Sequence, residues 1–223
     1  MFDINPFVNP QTVENYETWY YAEGKNAADQ EKNLILRLLG HFPKAKTMLE
    51  VGCGTGYFSK WFTTLGIEVI GLDISRQMLL KAREFHHLSC VQGDALALPM
   101  PDRSADLVSM ITTLEFVTKP IQALSEALRV TRDGLILGVI NKNSILGWQY
   151  RKKGGSIWSK AHFYSPSDLK IMLLEICKKH NKIIYQTTLW PLISISSVFP
   201  WGGFIGMSVV TSAKDGEKCR KQT

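Results

Sequence analysis

The stretch from Leu49 to Phe58, LEVGCGTGYF, constrains this chain most, because it joins a buried-strand run directly to three closely spaced glycines and then to an amphipathic helix. Glycines at 52, 54 and 56 admit a left-handed backbone and keep Cβ atoms away from a ligand, while the helix behind them turns free N-terminal amides to the same spot. A strand, a glycine turn and a helix begin a βαβ unit, so the pattern predicts an open α/β sheet of mostly parallel strands. The next apolar strand closes on Asp73, about where a carboxylate accepts both hydroxyls of a ribose. The glycine spacing is GxGxG, with Tyr57 at the place next to the third glycine, so the dinucleotide fingerprint is not met and a nucleoside other than NAD is expected.

The same alternation continues along the chain. Thr47–Val51, Glu68–Asp73, Ser89–Gln92, Asp106–Ile111 and Gly134–Ile140 read as buried strands. Phe58, Trp61, Phe62 and Leu65 lie at helical spacing before Gly66, Ser75 caps a helix bearing Met78, Leu79, Ala82 and Phe85, and Ile121, Leu124 and Leu128 mark another. Ahead of the first strand, Leu34, Ile35, Leu38 and Leu39 form a helical stripe ended by Gly40 and Pro43. The aromatic, proline-punctuated residues before it read as irregular.

After Ile140 a polar, basic and aromatic run extends to Tyr164, longer than an ordinary connection. Ser165, Pro166 and Asp168 then open a helix with Leu169, Met172, Leu173, Ile176 and Cys177 inward. Residues 183–213 carry no charge, but their prolines, glycines and serines favour two strands, Ile184–Trp190 and Phe204–Thr211, over a membrane span.

Composition narrows the function. With 223 residues, 45% of them hydrophobic and 21% charged, the chain has the balance of one soluble globular domain, which excludes a disordered chain, a repeat array and a disulfide miniprotein. Cys53, Cys90, Cys177 and Cys219 form no CxxC pair, and His41, His86, His87, His162 and His180 have no ligand spacing to them, so no metal site is expected. The opening MFDINPFVNP lacks the features of a secretory leader, which points to the cytoplasm and reduced thiols. Residues 141–182 hold a net charge of +7 within a total of +6, so the basicity belongs to one segment, either a site for anionic partners or a solvated lysine-rich face.

With LEVGCGTG, GLDIS and GDALALPMPDRSADLV in place, the chain resembles the class I S-adenosylmethionine-dependent methyltransferases, in particular the small-molecule group that includes the ubiquinone and menaquinone C-methyltransferases. The likeness runs from about Tyr16 to the C-terminal strands. It implies a Rossmann-like, doubly wound seven-stranded sheet, six strands parallel and one antiparallel, in a single domain over residues 1–223. Within that domain 1–43 would be a lid and helix, 44–140 the cofactor-binding core, 141–164 a basic insert on the substrate side, 165–213 a helix and terminal hairpin, and 214–223 a polar tail.

The resemblance also implies S-adenosylmethionine as cofactor and S-adenosylhomocysteine as product. Glu50 and the loop of Gly52, Cys53, Gly54 and Gly56 would hold the amino-acid part, Asp73 the ribose, and Ile74, Asp94 and Ala95 the adenine, with Thr112 completing the set. Tyr16 and Tyr20, in a YxxWY-like segment, would close over the cofactor, or pack on the core through their rings. Glu115 in TTLEFV and His162 in AHFYS are the candidate groups for deprotonating or orienting an acceptor, and each also has an ordinary structural reading.

The acceptor pocket is expected between the lid, the insert and the hairpin, with charge from Arg151–Lys153 and apolar surface from Trp148, Trp158, Phe163, Trp190, Phe199 and Trp201. That lining suits an amphipathic or anionic small molecule, lipid or quinone-like, or one presented at an anionic membrane. Two other readings share these residues: an RNA methyltransferase, since basic and aromatic side chains grip phosphates and stack bases, and a cofactor-binding scaffold without catalysis. No dedicated RNA-binding appendage or NPPY-type motif is recognisable in the sequence. A monomer or a homodimer fits equally.

Overall fold

Seven strands form one sheet in the computed structural model, which describes residues 7, 9–177, 180–189 and 197–211. They are β1 (Thr47–Val51), β2 (Glu68–Asp73), β3 (Cys90–Gln92), β4 (Ala105–Ile111), β5 (Thr131–Ile140), β6 (Lys182–Thr188) and β7 (Phe204–Val210), in the order β3-β2-β1-β4-β5-β7-β6. Only β7 runs against its neighbours, pairing antiparallel with both β5 and β6. Six parallel strands and one antiparallel strand is the expected class I methyltransferase arrangement.

The helices are α1 (Pro10–Tyr21), α2 (Lys25–Leu39), α3 (Tyr57–Thr64), α4 (Arg76–His86), α5 (Pro120–Val130), α6 (Ile145–Lys153), α7 (Gly155–Trp158) and α8 (Pro166–Ile176). Strand side chains alternate between two cores, as a pleated strand covered on both faces requires. Val108, Met110, Leu135 and Leu137 pack with Leu124 and Ala127 of α5 and Leu169 and Leu173 of α8. Leu107, Ile111, Ile136 and Ile140 point the other way, against Leu34, Ile35 and Leu38 of α2 and Phe58 and Phe62 of α3. α2 lies so close to β7 that a Cβ on Gly206 would stand 2.9 Å from both Leu34 and Leu38.

Two segments differ from expectation. Residues 10–21 are helical where an irregular stretch is predicted. The proline precedes the helix body instead of breaking it, and Asn9 caps the first turn by accepting from the amides of Gln11 and Thr12. The basic insert contains α6 and α7, with Ser144 capping α6 through the Gly147 amide at 2.9 Å. Trp190 and the tail from 214 to 223 lie outside the described residues.

β1 and β4 are neighbours at the centre of the sheet, and the chain leaves them towards opposite edges. A crevice therefore opens at their carboxyl ends, where open α/β sheets bind ligands.

Candidate active site

The crevice is built from the glycine turn outwards. β1 runs into Gly52, Gly54 and Gly56, whose φ angles are +71°, +55° and +88°. The amides of Gly52 and Cys53 both donate to the Leu72 carbonyl, at 2.6 and 3.0 Å, which fastens the turn to β2. A Cβ on Gly52 would lie 2.2–2.8 Å from atoms of the Thr113 side chain, so this position needs glycine twice over, for its dihedral and for its space.

At the end of β2 the Asp73 carboxyl is fixed from two sides. Gly54 N donates to Oδ2 at 2.9 Å and Ser75 N to Oδ1 at 2.8 Å. A carboxylate has about four acceptor positions, so each oxygen keeps capacity for a further donor. Burial raises the Asp73 carboxyl above its ordinary range, while its backbone hydrogen bonds hold it down.

Beside these groups lies a cavity of about 320 Å³, within the range of small-molecule sites. Its wall contains Gly52, Gly54, Asp73, Ile74, Asp94 and Ala95, and also Tyr16, Thr112 and His162. Asp94 is set by a turn in which its Oδ1 accepts from Leu96 N at 2.9 Å, and Gln122 of α5 donates to the Leu96 carbonyl at 2.8 Å. Ile74 is more than half exposed and gives the wall an apolar face. Thr112 adopts φ +47°, an uncommon conformation for a β-branched residue, at the point where β4 ends on the cleft.

The remaining candidates sit behind the wall. Glu50 is buried and accepts from the Ser59 hydroxyl of α3. Burial, assisted by the nearby charge of Asp73, pushes its carboxyl up to about 8. Cys53 is turned into a small core with Leu79, Ala82 and Leu88, where burial pushes its thiol far up. A Cβ on Gly56 would approach Leu88 and Ala82, so this glycine serves the packing of the turn. Tyr20 is stacked on Tyr57 at 4.0 Å, and its hydroxyl pairs with that of Tyr16 at 3.1 Å. Glu115 lies in a single 3-10 turn, Leu114–Phe116, with its Oε1 accepting from Ile140 N at 2.7 Å.

α1 packs on the core through Tyr20 and presents Tyr16 to the cavity. Buried polar bonds hold it there. Thr55 of the glycine turn donates to Glu17 Oε2, and Glu17 Oε1 meets His86 Nε2 of α4 at 3.0 Å. Phe7 also lines the cavity, with its ring edge-on to Tyr16 and Phe116 and its carbonyl accepting from Ser75 Oγ at 2.7 Å. Phe7, Thr113 and Lys160 are wall residues that sequence reasoning did not single out, and an isolated aromatic before an uncertain helix gave no signal. Trp148, Phe199 and Trp201, expected in an acceptor pocket, are instead largely exposed, with Lys152 over the Trp148 ring at 5.1 Å.

Residues 49–138 match the methyltransferase domain family. A protein of Methanocaldococcus jannaschii with no assigned activity is 30% identical over 88% of this chain and 95% of its own length. The malonyl-[acyl-carrier protein] O-methyltransferase of Buchnera aphidicola is 32% identical over 73% of this chain and 69% of that protein. Among solved structures, a Thermotoga maritima protein described as an S-adenosylmethionine-dependent methyltransferase, possible histamine N-methyltransferase, aligns with a TM-score of 0.78 and 28% identity, over 93% of this chain and all of that one. The chain belongs to the class I S-adenosylmethionine-dependent methyltransferases, the methyltransferase domain family matched above, and is an enzyme of that class. A more distant fold relative, the magnesium protoporphyrin IX methyltransferase of Synechocystis at a TM-score of 0.56, was solved with S-adenosylhomocysteine bound.

The residues present fit that cofactor. Gly52 and Gly54 leave a cradle without side chains, and Asp73 keeps acceptor capacity beside it. The basic side chains of the wall, Lys160 and His162, lie in the segment leading to α8, away from that turn in the sequence.

Proposed function

We propose that this chain transfers a methyl group from S-adenosylmethionine, bound at the carboxyl edge of β1 and β2, to a small organic acceptor. The observation that carries the reading is the twice-anchored Asp73 carboxyl facing the cavity beside a glycine turn. Asp73 would accept from the ribose hydroxyls, Gly52 and Gly54 would admit the amino-acid part, and Ile74, Asp94 and Ala95 would face the adenine. An arriving ammonium would favour the ionised form of Glu50 behind the turn, with Cys53 and Gly56 shaping the loop. When bound, the cofactor supplies a methyl group already activated by its positive sulfur.

The protein then has to align the acceptor and exclude water. Phe7 and α1 cover the cleft, and the rings of Tyr16 and Phe116 face its interior. His162 in the wall, or Glu115 behind it, would receive an acceptor proton. Residues 1–223 would work as one domain, with 141–164 on the acceptor side. Cys53, Cys90 and Cys177 are free thiols, consistent with a reducing cytoplasmic compartment.

The exposed Trp148, Phe199 and Trp201, together with Lys152, support a second element of the reading: contact with an anionic membrane surface from which an amphipathic acceptor could be drawn. Among the described residues, no helix is long and apolar enough to cross a membrane.

The test is methyl labelling of fractionated cell extract with radioactive cofactor. Label is expected in small molecules or extractable lipid, and Asp73→Ala should abolish it. Label in RNA, or cofactor binding without transfer to any fraction, would overturn the reading in favour of RNA methylation or a scaffold.

A further inference from the structure

The cavity beside the glycine turn has a neighbour. A second hollow of about 400 Å³ opens between the end of the basic insert and α8, and His162 stands in the walls of both. His162 is exposed, so the surface runs from one hollow to the other over its side chain. The contact is built where the insert re-enters the fold. Asn141 and Tyr164 form a parallel bridge at the end of β5, Lys142 N donates to the Tyr164 carbonyl at 3.0 Å, and His162 N donates to the Glu115 carbonyl at 2.7 Å. These bonds set Lys142, His162 and Tyr164 side by side at the carboxyl edge of the sheet.

The two hollows divide the work. The first, at about 320 Å³, is at the small end of ligand sites, and Asp73, Ile74, Asp94 and Ala95 occupy its β2 and β3 side on behalf of the cofactor. The second contains none of that set. Phe163, Ile171 and Met172 give it apolar sides, of which the methionine is adaptable in shape. Ile171 is 66% exposed, so a ligand lying there would take apolar surface out of water.

Charge decides which ligand suits it. Both acids in the wall of the first cavity, Asp73 and Asp94, belong to the cofactor side, whereas the insert contributes Lys160 and His162. In the second hollow Asp168 is already engaged, its Oδ2 accepting from Lys142 Nζ at 2.6 Å and from Ser165 N at 2.8 Å. An ammonium has three N–H donors, so Lys142 keeps donors beyond that bond. Burial first, and then the charges of Glu115 and Asp168, pushes the Tyr164 phenol up to about 12, which leaves it protonated and able to donate. The excess basic charge of residues 141–182 draws anions to this side of the molecule, and an amine would meet Lys142 and Lys160 with like charge.

We infer that the methyl acceptor is a small carboxylic acid with an apolar body, its carboxylate paired with Lys142 and its body lying on Phe163, Ile171 and Met172 and reaching past His162 into the cofactor cavity; this rests on the methyl-transfer reading of that cavity. The end that passes His162 is the one that meets the methyl group, and the carboxylate at Lys142 anchors the other. The acceptor site thus lies between the insert and α8, not among the exposed tryptophans of the insert and the last loop.

Calorimetry on the full chain tests this, with saturating S-adenosylhomocysteine and without it. The probes are hexanoate, 3-phenylpropanoate and indole-3-propanoate, each beside its amide and the amine of equal length. At least one acid should bind about tenfold or more tighter than its amide and its amine. Lys142→Gln should weaken that acid about tenfold and leave the amide within about threefold. Ile171→Glu, at an exposed position, should weaken the acid about tenfold where Ile171→Lys does not, and S-adenosylhomocysteine affinity should stay within about threefold throughout. Amides or amines binding as well as the acids, none of the acids binding, or acid affinity unchanged in Lys142→Gln or equal in the two Ile171 variants would each overturn the proposal. Should a variant fail to fold, the acid, amide and amine comparison on the parent protein decides. Absence of heat with S-adenosylhomocysteine would instead strike the cofactor reading, and the titrations made without it still judge the acid.

Discussion

Gly52 and Gly54 look alike in the sequence and are unequal in the structure. Alanine at 52 meets both a left-handed φ and the Thr113 side chain, whereas alanine at 54 meets only the dihedral cost, its nearest neighbour being Tyr16 at 3.5 Å. Gly52→Ala should therefore cost about 2 kcal/mol or more and abolish cofactor binding, and Gly54→Ala about 1 kcal/mol, both measured by chemical denaturation. Equal losses would contradict this account of the turn. The buried acids give a second expectation at this scale. Burial first, and then neighbouring charge, raises Glu31 and Glu50 to about 8, and burial raises Glu115 to about 7. The folded state thus keeps protons that the unfolded chain releases above its ordinary carboxyl range. Their stabilisation is complete below about pH 4.5 and is lost as the pH climbs to about 8. The melting temperature of the ligand-free protein should fall by about 10 °C between pH 5 and 8, and Glu50→Gln should flatten that slope. A profile unchanged in Glu50→Gln would show that Glu50 ionises normally. None of this is legible in sequence: a glutamate within α2's apolar stripe reads as its solvent edge, and nothing local tells that Glu115 turns inward while Phe116 faces the cleft.

Elements are held as much by buried polar bonds as by apolar stripes. α1 is the clearest case, since Glu17 ties it both to Thr55 in the glycine turn and to His86 in α4. Glu17→Ala would strand both partners, at about 1–3 kcal/mol. Amide exchange over residues 10–21 should quicken about tenfold or more, and affinity for S-adenosylhomocysteine should fall about tenfold. Unchanged exchange would mean that the aromatic stack of Tyr20 on Tyr57 holds the helix unaided. Two strands at the cleft are legible from sequence to the residue: β1 and β2 have the predicted bounds, because each is an apolar run stopped by a glycine turn or an aspartate. α8 is equally legible through its Ser165–Asp168 capping box. α1 and α6 are not: α1 opens at a proline and mixes aromatic with polar residues without a clean apolar stripe, and α6 does the same with aromatic and basic ones, its cap Ser144 standing among other polar residues.

For the molecule as a whole, the order of strands does the functional work: β1 and β4 lie side by side, and everything assigned to the cofactor follows from the crevice at their ends. The fold class could be read from the alternation of elements and the three motifs. The direction in which the insert and the last loop turn their aromatic residues could not, since composition alone does not distinguish a pocket wall from an exposed surface. The measurement that bears most directly on the central claim is a calorimetric titration of the purified chain with S-adenosylhomocysteine, set beside NADH and repeated with Asp73→Ala. One saturable site for S-adenosylhomocysteine is predicted, with affinity about tenfold to a hundredfold weaker in the variant and no saturation by NADH. Saturation by NADH with no heat from S-adenosylhomocysteine would contradict the account.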